Sequence, residues 1–164
     1  MDAQITILDE IKARLNNISI ANGYRFDIEP TAIHRARLEP FKNGDLPVIN
    51  YWHTDDEQES KLGGKEARLL PLTLEIFDTT RDEPFTDLSV KRGNDVVTAL
   101  FRATTAPAVT DPISYGLGGL VEQVDINSIT PMISEGQKPW FGALLSITIK
   151  YNITTGNFSV IENY

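Results

Sequence analysis

From Phe141 onward the chain places Phe141, Ala143, Leu145, Ile147, Ile149, Tyr151 and Ile153 at every second position, with smaller or polar residues between them. Side chains alternate across an extended strand, so this run is a strand with one apolar face, and that face has to be covered by a second layer. A partner precedes it. Leu120, Val124 and Ile126 share one face of an expected strand over 120–129, and the turn-like Ser134-Glu135-Gly136-Gln137-Lys138-Pro139 joins the two as an antiparallel hairpin.

Other segments carry the same period. Leu70, Leu72, Leu74 and Ile76 alternate with Thr73 and Glu75 between Arg68 and Asp78, and Pro71 near the start suits an edge or a strand entrance, because proline cannot donate to a ladder. Val48-Ile49-Asn50-Tyr51-Trp52 is rich in residues that favour strands. Tyr24, Phe26 and Ile28 alternate with Arg25 and Asp27 and predict a strand ending at Glu29-Pro30, and a second extended piece covers 32–38. The Lys42-Asn43-Gly44-Asp45 cluster after Pro40 marks a turn.

Two stretches have the helical period instead. Ile5, Leu8, Ile11, Leu15 and Ile18 form one stripe, with Asp2 as candidate N-cap and Asn22-Gly23 as the turn beyond. Past Pro84, Val90, Gly93, Val96, Val97, Leu100 and Phe101 fall in one arc, with Lys91, Arg92, Asp95, Thr98 and Arg102 opposite. Gly93 within the arc would let the helix approach a sheet closely; otherwise it only weakens a solvent-side turn. The order helix, strands, helix, hairpin does not alternate as parallel β/α units do. It predicts an α+β fold, a mainly antiparallel sheet with two helices packed on one face.

A length of 164 residues with 41% hydrophobic content fits one domain over 1–164. Flexible loops are expected over 54–66 and 104–119, and 154–164 reads as a short last strand or a docking tail. With no cysteine, disulfides and thiolate metal sites are excluded. MDAQITILDE carries acid where a signal peptide needs base, and no run approaches the ~20 apolar residues of a membrane span, so a soluble, unexported chain is expected. Net charge is −8 with the bases spread thinly, which argues against tight nucleic-acid binding. An acidic surface suits a conduit through which DNA passes without sticking, and it equally suits simple solubility.

Residues that could carry chemistry do not converge. His34 and His53 stand outside any metal-ligand spacing, and His53 beside Asp55 and Asp56 is weak as a cation site. Ser114-Tyr115-Gly116-Leu117-Gly118-Gly119 lacks the full phosphate-loop pattern and is followed by a strand, not a helix. Acid pairs such as Asp55/Asp56 and Asp82/Glu83 are adjacent and would point to opposite faces. No serine has a visible base, so no catalytic, cofactor-binding or metal site is expected. The segment from Asp55 through Asp56, Glu57 and Glu59 to Gly64 is the most acidic patch, expected as an exposed hairpin or a long mobile loop. Trp52 and Trp140, at a strand end and a strand start, either finish the core or anchor subunit contacts.

The order of motifs is itself informative: ILDEIKARLNNI, LPVINYW, an acidic loop, LTLEIFD, DLSVKRGNDVVTALF and ITIKYNI. Over roughly residues 5 to 153 it resembles the tail terminator proteins of tailed phages, the family of minor tail protein U. The resemblance implies a non-enzymatic virion subunit without cofactor, a homo-oligomer assembling as a hexameric ring in the host cytoplasm. Such a ring caps the head-proximal end of the tail tube, ends its polymerisation and offers the head-tail joining surface. The implied partners are further copies, the tail tube protein, the head-tail connector or neck protein and, in a contractile tail, the sheath. DNA would pass through the lumen unbound. Under this reading Trp52, Asp55, Asp56, Glu57, Glu59 and Trp140 are the candidate interface or lumen residues. The 104–119 connection is longer and more apolar than expected of the family, which leaves room for another neck, tail-completion or tube subunit. A small-molecule-binding domain using the glycine-rich linker is the alternative from a different class.

Overall fold

The computed structural model describes residues 2–79, 83–102, 116–133 and 140–161. Two helices, α1 (Ala3–Leu15) and α2 (Phe85–Phe101), accompany seven strands: β1 (Ile33–Arg35), β2 (Val48–His53), β3 (Glu57–Leu62), β4 (Lys65–Thr79), β5 (Gln123–Ile133), β6 (Trp140–Thr154) and β7 (Asn157–Ile161). They make one sheet of order β1-β2-β4-β6-β5, with β3 on β4 and β7 on β6. Among the described strands only the β1–β2 pair is parallel. This is the expected α+β fold.

The central ladder joins β4 to β6 from Lys65↔Thr154 to Thr79↔Trp140. Because every residue is matched, Leu70, Leu72, Leu74 and Ile76 share one face with Ala143, Leu145, Ile147 and Ile149, and all are buried. Both helices lie on that face. The Tyr51 hydroxyl donates to the Leu8 carbonyl of α1 at 3.0 Å, and Gly93 of α2 sits over Ile129 and Ala143. A Cβ at Gly93 would be 2.7 Å from Ile129 Cγ2, so the close-approach reading of this glycine is the one the structure bears out.

Several expectations change. Tyr24, Phe26 and Ile28 are buried as alternation requires, but they form no strand. Their backbone is satisfied locally instead: Ile28 N–H bonds the Ile18 carbonyl, and Arg25 N–H bonds the Asp95 carboxylate at 2.8 Å. Pro71 is not at an edge but in central β4, at the seam where β3 pairing ends at Leu69 and β2 pairing begins at Leu72. Its missing N–H falls in that gap, where the Pro71 carbonyl accepts from Thr54 N–H. Asp2 occupies the N-cap position of α1 without a side-chain cap bond, and Ile5 is exposed. In α2 the buried stripe is rotated from the expected arc. Arg92 and Asp95, placed opposite on sequence grounds, are buried, whereas Val90 is exposed. Within 154–164, residues 157–161 form the expected short last strand. Residues 103–115 and the 134–139 turn lie outside the described residues, as does Asp82; Leu117–Gly119 is a turn of 3-10 helix with Leu117 buried.

Candidate functional site

The acidic segment is divided by the fold. Glu57 begins β3, which pairs with β4 as a hairpin closed by Gly63 and Gly64, both at positive φ (59° and 79°). A two-residue loop with two positive-φ positions fits the right-handed twist of its strands, which is why Gly-Gly suffices here. The segment over 57–62 is thus a hairpin strand. Asp55 and Glu57 are exposed, and Glu59 pairs with Lys150 at 2.7 Å.

Asp56 behaves differently. One carboxylate oxygen accepts from the Gln4 side chain and the Tyr151 hydroxyl; the other accepts from Arg68 Nε at 2.9 Å. Arg68 also bonds the Asp56 carbonyl at 3.1 Å and Glu66 at 3.1 Å. Burial, then the Asp56 carboxylate, push the Tyr151 phenol well above its ordinary value, while burial of Arg68 is outweighed by its bonds to Asp56 and Glu66. Asp56 therefore ties α1, β4 and β6 together at the root of the hairpin. These bonds hold Asp56 between three elements, where the sequence suggested a mobile loop position.

The second region lies on the sheet face that the helices leave open. Trp52↔Thr73 and Trp140↔Thr79 in the ladders put both tryptophans on this face, six positions of β4 apart, or about 20 Å. They do not meet. Around Trp140 a cleft of about 310 Å³ is lined by Arg37, Leu38, Phe41, Glu75 and Phe77 among others. Phe77 stands edge-on to Trp140 with centroids 4.7 Å apart, Phe41 lies 6.0 Å from Phe77, and His34 lies 5.7 Å from Phe41. Gly142 makes room for this row: a Cβ there would be 2.5 Å from Phe77 Cδ1 and 2.7 Å from the Ile76 carbonyl.

The cleft's outer wall is an arm beginning at Ala36, whose φ of 53° is a left-handed conformation costing an L-residue about 1–2 kcal/mol. Asn50, buried in β2, holds the arm as a backbone would. Its side chain accepts from Arg37 N–H at 3.0 Å and donates to the Arg37 carbonyl at 3.2 Å and to Glu75 at 3.2 Å. The Arg37 guanidinium lies 4.6 Å above the Phe41 ring, 3.5 Å from Asp45 and 3.3 Å from His34 Nε2. Arginine can only donate, so His34 Nε2 accepts and the imidazole is neutral. Burial, then the Arg37 charge, lower the His34 pKa accordingly.

Sequence reasoning singled out Trp140 but not Arg37, Leu38, Phe41, Asn50 or Phe77, because the cleft forms from segments distant in the chain. Leu38, isolated between Arg37 and Glu39 before Pro40, was the available signal. Elsewhere His53 Nδ1 contacts the Thr54 carbonyl, and among the described residues no group of three or more His, Asp and Glu could hold a metal ion. Among the described residues no helix is long and apolar enough to cross a membrane. No protein-family model matches the sequence, and comparison with curated proteins finds no match.

Proposed function

We propose that this chain is a structural virion subunit, a phage tail terminator that closes the head-proximal end of the tail tube as a homomeric ring. The ring ends tube polymerisation, joins the tube to the head-tail connector and lets DNA pass without binding it. The observation that carries this reading is the one-sided sheet. Both helices cover one face, the other keeps an aromatic cleft at one end, and a polar hairpin extends the sheet at the opposite end. Such a subunit has the means to contact copies of itself through different surfaces. Its polar groups support the same reading, since part-buried Asp56 and buried Asn50, Arg92 and Asp78 are engaged in holding elements together. The motif order over residues 5 to 153 adds the tail terminator family in particular.

A closed head-to-tail ring can match the rotational symmetry of a tube on one side and withhold a tube-like surface on the other, which a two-fold dimer cannot do. The test is tail assembly in phage lacking this protein. Tubes of uncontrolled length that fail to join heads are expected; tubes of normal length that join heads as before overturn the reading. A second reading, a small-molecule-binding domain, draws on the aromatic cleft rather than the glycine-rich linker.

A further inference from the structure

We propose that the aromatic cleft is a binding site for a small organic cation, with an alkylammonium or guanidinium head against Glu75 and an apolar stem on the Phe77 ring. The inference rests on the cleft alone and not on the ring reading above.

Glu75 lines the cleft half-buried, and the neutral Asn50 amide donates to its Oε1 at 3.2 Å. Asn50 and Leu144 stand opposite it in the ladders, and Thr73 and Phe77 flank it on the same sheet face, so none of these neighbours brings a charge. Among the described residues Glu75 has no ion pair. A carboxylate partly withdrawn from water without a counter-charge gains from any cation that reaches it. The other charges lining the cleft cancel. Arg37 is matched by Asp45 at 3.5 Å, and Lys42 is matched in number by Glu39, both exposed at the rim.

The rings supply a second attraction, because an aromatic face is negative and holds a cation within about 6 Å of its centre. The molecule already uses this once, with the Arg37 guanidinium 4.6 Å over Phe41. Phe77 is the next residue on the face of Glu75, two strand steps or about 7 Å away, so a stem of about four carbons spans from one to the other. Trp140, 4.7 Å from Phe77, closes the far side. The volume of about 310 Å³ suits a ligand of that size and stands at the lower end for small-molecule sites. Asn50 fixes both the arm, at Arg37, and Glu75, so the site is formed before a ligand arrives.

Trp52→Phe leaves Trp140 as the sole tryptophan, and its emission reports the titration at constant ionic strength. Where that variant does not fold, the indole N–H resonance of Trp140 in the parent serves instead. Butylguanidinium and butylammonium are expected to saturate with Kd on the order of 1 mM. A blocked peptide with a central arginine is run beside them; the tighter binder tells whether the head belongs to a free cation or to a protein side chain. Glu75→Gln keeps the acceptor for Asn50 but removes the charge, and should weaken binding about tenfold with no loss of melting temperature. Butanesulfonate, an anion with the same stem, should not saturate. No saturation by either cation up to about 50 mM, an equal response to butanesulfonate, or undiminished binding in E75Q would each overturn the site. Tail assembly tests the ring reading separately, and neither result decides the other.

Discussion

Arg92 of α2 and Asp78 of β4 meet at 3.0 Å with each side chain only 4% exposed, and the guanidinium lies 4.5 Å above the Phe26 ring. The pair joins α2, β4 and the segment after α1. Removing one partner leaves a buried charge uncompensated, at about 3–5 kcal/mol. Asp78→Ala is therefore expected to lower the unfolding free energy by that amount, and Arg92→Met/Asp78→Leu to recover most of it. Denaturant melts decide; a single variant as stable as the parent would contradict the buried pair.

The acidic segment should respond position by position. Asp56→Ala strips acceptors from Arg68, Tyr151 and Gln4 and is expected to cost about 1.5–3 kcal/mol, the range for hydrogen bonds to a charged group. Asp55→Asn with Glu57→Gln should stay within about 0.5 kcal/mol, as exposed substitutions do. Equal effects on thermal unfolding would show that the hairpin root is not where the bonds place it.

Gly142→Ala would drive a methyl group into the Phe77 ring and the Ile76 carbonyl. Backbone cannot yield as a side-chain end does, so a loss of about 1–3 kcal/mol is expected, with altered Trp140 fluorescence as Phe77 is displaced. An unshifted emission spectrum and unchanged stability would refute the packing described for the cleft floor.

Acid should loosen the cleft wall. Burial and Arg37 lower the His34 pKa from 6.5, so the unfolded chain takes up the proton more readily and stability falls as pH drops through that ordinary value. Asp45, lowered from 3.8 first by the Lys42 N–H and also by Arg37, contributes stability above its ordinary value that is lost as pH falls through its folded value. Melting temperature is expected to decline from pH 7.5 to 5, and less in His34→Gln. Identical declines in both proteins would remove His34 as the cause.

How much of this was legible follows from where the information lies. The strands β4, β5 and β6 and the face they bury could be read because period two is written in adjacent residues. Tyr24-Phe26-Ile28 has the same period and misled, because burial in alternation does not require a ladder; Arg25 N–H finds the Asp95 side chain instead. Arg92, Asp95 and Asp56 read as solvent-facing charges because their partners Asp78, Arg25 and Tyr151 are remote in the chain. Pro71 read as an edge signal because the seam between β2 and β3 exists only after both have paired with β4. The cleft was invisible for the same reason, its walls coming from the arm after β1, from β4 and from the start of β6.

The unbroken ladder between β4 and β6 also dictates when the molecule can fold. Lys65–Thr79 must wait for Trp140–Thr154, so the central pairing closes across the whole of α2 and β5 before either helix has a complete surface to bury against. Such long-range pairing places a chain among folders of milliseconds to seconds rather than microseconds. On the ribosome the N-terminal half emerges with the long β4 edge bare, an invitation to pairing with other chains. Release from that hazard comes only once β6 has been made and pairs with β4 along its whole length.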